Sequence, residues 1–237
     1  QPSQPYFPSG SSSLIRSRNG GKTWVAIEEG LTGVGLPTQL SALTIDPTDP
    51  QVLYVCTTTG LFKSTDGGDL WFLWNASGAN LLTLAIDPSD SLTLYSMYGA
   101  NFIKSVDGGR TFATVQANRP LGYISPSQPV FLTINPIHPS SIYAVAEGGN
   151  KYDILEIFQT DTAGACWNQV SLPSELAVPF SIDLVIDPEG KFLLARTDQG
   201  IWEFEIVPQI EPLCLHRPEV RSLLPRPIRD LVREDFR

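Results

Sequence analysis

Histidine is nearly missing from this chain, cysteine is rare, and long apolar runs do not occur. The two histidines, His138 and His216, cannot form a histidine metal cluster, and no Ser/His/Asp constellation can be assembled around them. Cys56, Cys166 and Cys214 match no metal-ligand spacing and no CxxC pair. Two readings of them stay open: buried free thiols on strands, or one disulfide, Cys166–Cys214, in an oxidising compartment. No apolar stretch approaches the roughly 18 residues of a membrane-spanning helix. Basic residues are outnumbered, 16 against 25 acidic, giving a net charge of −9, and the pI is about 4.7. An acidic surface repels phosphate backbones, which argues against nucleic acid as a partner. No signal peptide is visible in the sequence, which says little about export. The opening Gln1-Pro2-Ser3-Gln4-Pro5 and the serines that follow read as the mature start of an exported protein or as a linker.

What is present is apolar material and punctuation. Hydrophobic residues make up 42% of the chain and aromatics 10%, enough for a core, while 19 glycines and 20 prolines favour short strands over long helices. Four segments align. They are Ser17-Arg18-Asn19-Gly20-Gly21-Lys22-Thr23-Trp24, Ser64-Thr65-Asp66-Gly67-Gly68-Asp69-Leu70-Trp71, Ser105-Val106-Asp107-Gly108-Gly109-Arg110-Thr111-Phe112 and a decayed Thr160-Asp161-Thr162-Ala163-Gly164-Ala165-Cys166-Trp167. A second motif recurs out of phase with them: Leu43 to Pro47, Leu84 to Pro88, Leu132 to Pro136 and Leu184 to Pro188, each reading Leu-x-Ile-Asp/Asn-Pro and each followed by an apolar run.

One unit is therefore strand, Asp-Pro turn, strand, loop, strand, Gly-Gly turn, strand. That is a four-stranded antiparallel meander of roughly 40–50 residues, the size of a propeller blade. In the Gly-Gly turn the Asp and Ser/Thr side chains can bond backbone groups of their own turn, and the glycines accept a positive φ. The closing Trp24, Trp71, Phe112 and Trp167 are expected to be buried between sheets. Ser17, Asn19, Gly21, Ser64, Asp66, Gly68, Ser105, Asp107, Gly109 and Gly164 are expected to hold the turns.

The SxDGGxTW pattern resembles the Asp-box (BNR) repeat. Together with LxIDPxxPxxLY and GLFKS it is similar to the repeats of xyloglucanase-type glycoside hydrolases, photosystem II assembly factors and sortilin-type receptors. The resemblance covers about residues 12 to 206 and implies an all-β propeller with Asp-box turns. It fixes no function, because those relatives do unrelated things. Four to five blades are visible, so the ring is partial or unusually small. The N-terminal strand near Trp24 is expected to complete the last blade. Residues 1–11 read as a Pro/Ser-rich segment. Residues 207–237 read as an Arg/Pro-rich tail, in which Pro227 is suited to start a short helix.

Antiparallel blades put the Asp-Pro and Gly-Gly turns on one side. The other side, where propellers commonly act, offers Glu28, Glu29, Arg119, Tyr123 and Asp183 in the links between blades. Its loops offer Tyr98, Glu147, Asn150, Lys151, Tyr152, Asp153, Arg196 and Asp198. Asp183 is the best single candidate for glycosidase chemistry, with Glu147 or Asp153 as partner. Arg119, Tyr123, Tyr98, Tyr152 and Arg196 are candidate binding residues. Sialidase chemistry needs three convergent arginines, and this face supplies only Arg119 and Arg196. Asp46, Asp66, Asp87, Asp107 and Asp187 are turn-holders, not metal ligands. Asn75-Ala76-Ser77 is a glycosylation sequon. No cofactor is expected. The expected function is a non-catalytic extracytoplasmic scaffold that binds a protein or a polysaccharide. A xyloglucanase-type module and an assembly factor for a membrane complex stand as alternatives.

Overall fold

The computed structural model describes residues 14–31, 40–78, 80–99, 101–115, 131–147, 155–171, 182–197, 200–206, 221–222 and 225–227. A hairpin comes first, with β1 (Ile15–Arg16) pairing β2 (Val25–Ala26) as a separate two-stranded sheet. Four antiparallel sheets follow in a four-bladed propeller arrangement. Blade 1 contains β3 (Leu40–Ile45), β4 (Leu53–Thr57), β5 (Gly60–Ser64) and β6 (Phe72–Asn75). Blade 2 contains β7 (Leu84–Asp87), β8 (Asp90–Tyr98), β9 (Asn101–Ser105) and β10 (Ala113–Thr114). Blade 3 contains β11 (Phe131–Ile134), β12 (Ile142–Glu147), β13 (Leu155–Thr160) and β14 (Asn168–Ser171). Blade 4 contains β15 (Ile182–Ile186), β16 (Phe192–Thr197) and β17 (Gly200–Glu205). A single 3-10 turn, Ala76–Gly78, is the only helical element among the described residues.

Alternation along each strand sends successive side chains to opposite faces, and each face meets a different neighbour. In blade 1, Leu53, Val55 and Phe62 bury against Leu14 and Ile27 of the hairpin. The opposite face presents Tyr54, Cys56 and Leu61 to Leu84, Ile86, Leu94 and Ile103 of blade 2. The same rule repeats between blades 2 and 3, with Tyr95, Met97 and Phe102 against Ile142, Ala144 and Phe158. It repeats again between blades 3 and 4, with Tyr143, Val145 and Ile157 against Leu184, Ile186 and Leu193. The core is therefore a series of apolar layers between sheets, not one central mass.

The two ends differ from the sequence reading. The fourth strand of blade 4 is not the N-terminal segment. It is β19 (Pro225–Pro227), antiparallel to β17, while β2 pairs only with β1. A strand of Pro-Arg-Pro suits an outer edge, because proline has no N–H to offer a further neighbour. Another part of the 207–237 segment, β18 (Arg221–Ser222), lies parallel to β14 as a fifth strand of blade 3. The expected helix after Pro227 falls outside the described residues. The cysteines differ among themselves: Cys56 is a free thiol, completely buried and pushed up to about 12 by that burial. Cys166 is disulfide-bonded, so the reading as three free thiols does not hold for it. The one remaining cysteine of the sequence is Cys214, outside the described residues.

Candidate functional site

The Gly-Gly turns use up the polar groups that their sequence advertises. In blade 2, Ser105 Oγ donates to Asp107 Oδ1 at 2.7 Å and accepts the Gly109 amide at 2.8 Å. Asp107 then accepts the Thr111 hydroxyl at 2.6 Å and the Thr111 amide at 2.9 Å. The Thr111 bonds, followed by the one from Ser105, favour the carboxylate and hold Asp107 down at about 2. Blade 1 repeats the arrangement through Ser64, Asp66, Gly68 and Leu70. The hairpin repeats it with Asn19 in place of the acid: Ser17 Oγ donates to Asn19 Oδ1 at 3.0 Å and accepts the Gly21 amide at 2.8 Å. In blade 3 the decayed turn survives because Thr160 and Thr162 hydroxyls accept the Gly164 and Cys166 amides. Backbone bonds tie each turn to the Asp-Pro turn of its own blade: Gly67 to Gln51, Gly108 to Leu92 and Ala163 to Ser140. Both sets of turns therefore lie at one end of the blades.

The aromatics that close these turns do not share one fate. Trp71 is 2% exposed and donates Nε1–H to the Ile27 carbonyl of the hairpin at 2.8 Å. Trp167 is 4% exposed and meets Phe102 of blade 2 edge-on at 4.9 Å. The packing there is tight enough to leave no room for a Cβ at Gly164 against the Phe102 ring. Phe112 is partly buried against the layer between blades 1 and 2. Trp24 is 58% exposed, contrary to its expected burial. Each of the other rings packs on the unit before it, and no described unit precedes the hairpin.

The Asp-Pro turns add a second kind of lock. Asp46 Oδ1 accepts the Thr48 amide and hydroxyl and, from blade 2, the Ser91 hydroxyl at 2.9 Å. Burial pushes the Asp46 pKa up, but the bonds from Thr48, Ser91 and Asp49 outweigh it and leave the group below its ordinary value. In blade 3 the same place holds Asn135, and the reason is visible. Its Nδ2 donates to the Gly190 carbonyl of blade 4 at 3.0 Å, which a carboxylate cannot do. Asn75 of the sequon is similarly engaged, donating Nδ2–H to the Gly109 carbonyl at 3.1 Å.

Of the candidate glycosidase acids only Asp183 has its side chain among the described residues. Asp183 lies opposite Arg196 across the β15–β16 ladder. Its neighbours Leu184 and Ile186 bury toward blade 3, so Asp183 and Arg196 occupy the face that no described blade covers. Glu147 ends β12 opposite Leu155, with its side chain outside the described part. Asp153, Tyr152, Arg119, Tyr123, Asn150, Lys151 and Asp198 also lie outside it. Tyr98, at the end of β8, is 49% exposed. Glu28 accepts the Leu14 amide at 3.2 Å within the hairpin.

A cleft of about 570 Å³ opens between blades 3 and 4, at the end that carries the turns. Sequence reasoning missed it. In blade 2 the position facing Leu94 is Ser105, which starts the Gly-Gly turn; in blade 4 the position facing Leu193 is Phe204, fully buried. The sequence after Phe204 carries no Gly-Gly motif, and a cleft among the described residues lies where that turn closes the junction between blades 1 and 2. That missing motif was the available signal. The cleft is lined by Ser141, Gln159, Asp161, Lys191, Glu205 and His138, among others. Gln159 Nε2 donates to both oxygens of Asp161, at 3.1 and 3.3 Å. Lys191 pairs with Glu189 at 2.6 Å. Ser141 is 6% exposed and its Oγ has no hydrogen-bond partner. Such a cleft offers donors and acceptors to a hydroxylated or peptide ligand. Glu189 and Glu205 are exposed and Asp161 is half-buried. No group of three metal-ligating side chains occurs among the described residues, and no described helix is long and apolar enough to cross a membrane.

No family model matches the sequence, and no curated protein does. Solved structures match in fold. An ancestral GH74 enzyme is similar over 84% of this chain, at 16% identity and a TM-score of 0.53. The GH74 xyloglucanase from Xanthomonas campestris is similar over 93%, at 17% identity and a TM-score of 0.50. An auxiliary nutrient binding protein from Bacteroides thetaiotaomicron is similar over 78%, at 9% identity and a TM-score of 0.51. This chain spans 28%, 43% and 41% of those proteins respectively. Likeness at such identities is likeness of fold, and one fold hosts unrelated functions.

Proposed function

We propose that this chain is a non-catalytic binding or scaffold propeller acting outside the cytoplasm, and that its Gly-Gly turns are Asp boxes of the BNR type. The cleft between blades 3 and 4 is its binding site, for a segment of protein or polysaccharide. The observation that carries this reading is the position of Asp183. Glycosidic cleavage needs two carboxyl groups about 5–5.5 Å or about 6.5–9.5 Å apart across a sugar, whereas the cross-strand neighbour of Asp183 is Arg196, on the face of blade 4 that no described blade covers. The unpartnered Ser141 hydroxyl supports the cleft as the site, because a buried donor without a partner is costly unless a ligand or water meets it. The disulfide at Cys166 supports an oxidising, extracytoplasmic setting.

The test combines hydrolysis and binding on xyloglucan and other β-glucans. The expected outcome is no cleavage by the wild-type chain. Glycan-array or calorimetric binding, where found, is expected to fall with Asp161→Asn or Ser141→Val. Measured cleavage that Asp183→Asn abolishes would return the chain to the xyloglucanase-type reading.

A further inference from the structure

The hairpin turn holds the one asparagine of the chain that is followed by glycine, Asn19-Gly20. In such a pair the glycine amide nitrogen can attack the asparagine Cγ and close a five-membered imide, because glycine has no Cβ to shield that nitrogen. The turn presents the pair openly. Asn19 and Gly20 are exposed, and a Cβ at Gly20 would meet no atom within 4 Å. The Gly20 amide has no acceptor among the described residues. The amides at the same place in the blades are engaged, Gly67 with Gln51, Gly108 with Leu92 and Ala163 with Ser140. The electrophile is prepared as well. Asn19 Oδ1 accepts from Ser17 Oγ at 3.0 Å and from the Thr23 amide at 2.9 Å. Both donors sit on the oxygen that gathers negative charge when Cγ is attacked, as in an oxyanion hole. The leaving nitrogen, Nδ2, lies 2.8 Å from Thr23 Oγ1.

The acid turns of blades 1 and 2 resist the same step. Gly67 and Gly108 are buried. Hydrogen bonds also keep Asp66 and Asp107 ionised, Asp107 down at about 2, and a carboxylate is a poor electrophile. Those turns show in addition that the product of the reaction fits. Asp107 accepts the Ser105 hydroxyl and the Thr111 amide and hydroxyl. An aspartate at position 19 meets Ser17 and Thr23 in the same places, with the Thr23 hydroxyl turned to donate.

We propose that Asn19 is a site of spontaneous covalent modification, at which the folded protein converts its asparagine into the aspartate of the other turns. The site goes beyond the binding reading given above and does not depend on it. The bond from Gly20 N to Asn19 Cγ forms, and the Gly20 amide proton passes to a base in solvent. The Cγ–Nδ2 bond breaks and Nδ2 leaves as ammonia. Water then opens the imide at Cγ, which restores the main chain and leaves a carboxylate. One water is consumed and one ammonia released, and nothing is oxidised or reduced. Opening at the other carbonyl gives isoaspartate, whose extra main-chain methylene is incompatible with the bond from the Gly21 amide to Ser17.

The whole 237-residue chain is incubated at mildly alkaline pH in heavy-oxygen water and mapped by electron-transfer fragmentation, which separates aspartate from isoaspartate. Labelled aspartate is expected at position 19, with a shift on ion exchange equal to one added negative charge. The other asparagines, Asp66 and Asp107 should stay unchanged. Asn19→Gln should abolish the charge shift. Asp107→Asn creates the same Asn-Gly-Gly run where the glycine amide is buried and bonded. Conversion there should be slower by about tenfold or more, because such an amide reacts only in transiently opened molecules. Thermal unfolding checks that each variant folds, and the wild-type chain in urea supplies a comparison that needs no variant. Three outcomes overturn the proposal: an unchanged Asn19 in the folded chain while the chain in urea converts, isoaspartate as the main product, or equal rates at positions 19 and 107.

Discussion

The junction between blades 1 and 2 and the junction between blades 3 and 4 are built from the same repeat, yet the first is sealed and the second is open. In the sealed junction the Gly108 carbonyl accepts from Tyr54 Oη at 3.2 Å and from Trp74 Nε1 at 2.8 Å. Gly109 is held by Asn75, and the Arg110 guanidinium lies 4.0 Å from the Trp74 ring. All these bonds end on the Gly-Gly turn of blade 2. The open junction has the same apolar layer, complete from Tyr143 to Leu193, but the sequence of blade 4 carries no Gly-Gly motif to build such a turn. Apolar burial between sheets thus holds the blades side by side, while the turn closes the gap at their ends. A propeller of this kind can gain a cleft by losing one serine-initiated turn without losing a blade.

The largest effect that sharpens the comparison concerns the turn aromatics. Trp71→Ala is expected to cost about 3–5 kcal/mol, as large aromatic truncations in cores do. Trp24→Ala, in the same motif position but on the open side of the hairpin, should stay within about 0.5 kcal/mol. Chemical denaturation of both variants measures the difference. Equal losses would mean that Trp24 has a partner surface in solution.

The fold was legible in the sequence because two motifs recur in fixed order, and a recurring turn dictates an antiparallel partner. The burial of Trp71 was legible for the same reason, but not its seat against the hairpin. Three features were not. Trp24 carries every local mark of a buried ring, but its burial depends on a neighbour that the motif does not encode. Pro225–Pro227 looks unlike a strand, because an outer edge strand need not donate hydrogen bonds. The cleft between blades 3 and 4 arises from an absence, Phe204 where a serine belongs, and it lies at the end set aside as structural. Asp183 stood out as a carboxylate before an inner strand, and only cross-strand register reveals Arg196 beside it.

A smaller effect separates Asp46 from Asn135, which hold one turn position in two blades. Asn135 is fully buried and donates to the Gly190 carbonyl. Asn135→Asp removes that donor and sets a carboxyl against a carbonyl, for a loss of about 1–3 kcal/mol, more if the group stays ionised. Asp46→Asn keeps an oxygen for the Ser91 hydroxyl and should lose less. Thermal unfolding at neutral pH ranks the pair, and the reverse order would contradict the donor argument.

Ser105→Ala against Ser17→Ala comes next. Both hydroxyls make the same two bonds, but Ser105 is 1% exposed whereas Ser17 is only half-buried. Removing the Ser105 acceptor strands the buried Gly109 amide and should cost about 0.5–2 kcal/mol, like the loss of a helix cap. At Ser17 water replaces the hydroxyl and the loss should be a few tenths. Urea midpoints of the two single variants are sufficient to tell them apart.

The smallest effect is the pH dependence of the same turns, for which the hairpin supplies a built-in control. Asp107 titrates at about 2 in the folded chain, against an ordinary 3.8, because Thr111 and then Ser105 donate to its carboxylate. Asp66 is lowered in the same direction, chiefly by the Leu70 amide. A group with a depressed folded pKa is protonated more readily when the chain unfolds. Its contribution to stability is therefore complete above 3.8 and is lost as the pH falls through about 2. Unfolding midpoints should accordingly decline between about pH 4 and 2. Asn19 fills the same place in the hairpin and accepts the Thr23 amide at 2.9 Å with nothing to titrate. Asp107→Asn copies that arrangement: it keeps an acceptor oxygen, should change little at neutral pH, and should flatten the acid limb. The size of the change will be modest, because these carboxylates face water and salt screens them. An acid limb identical in wild type and in the Asp66→Asn, Asp107→Asn double variant would assign acid sensitivity to other carboxylates, with Asp46 at the sealed junction the next to change.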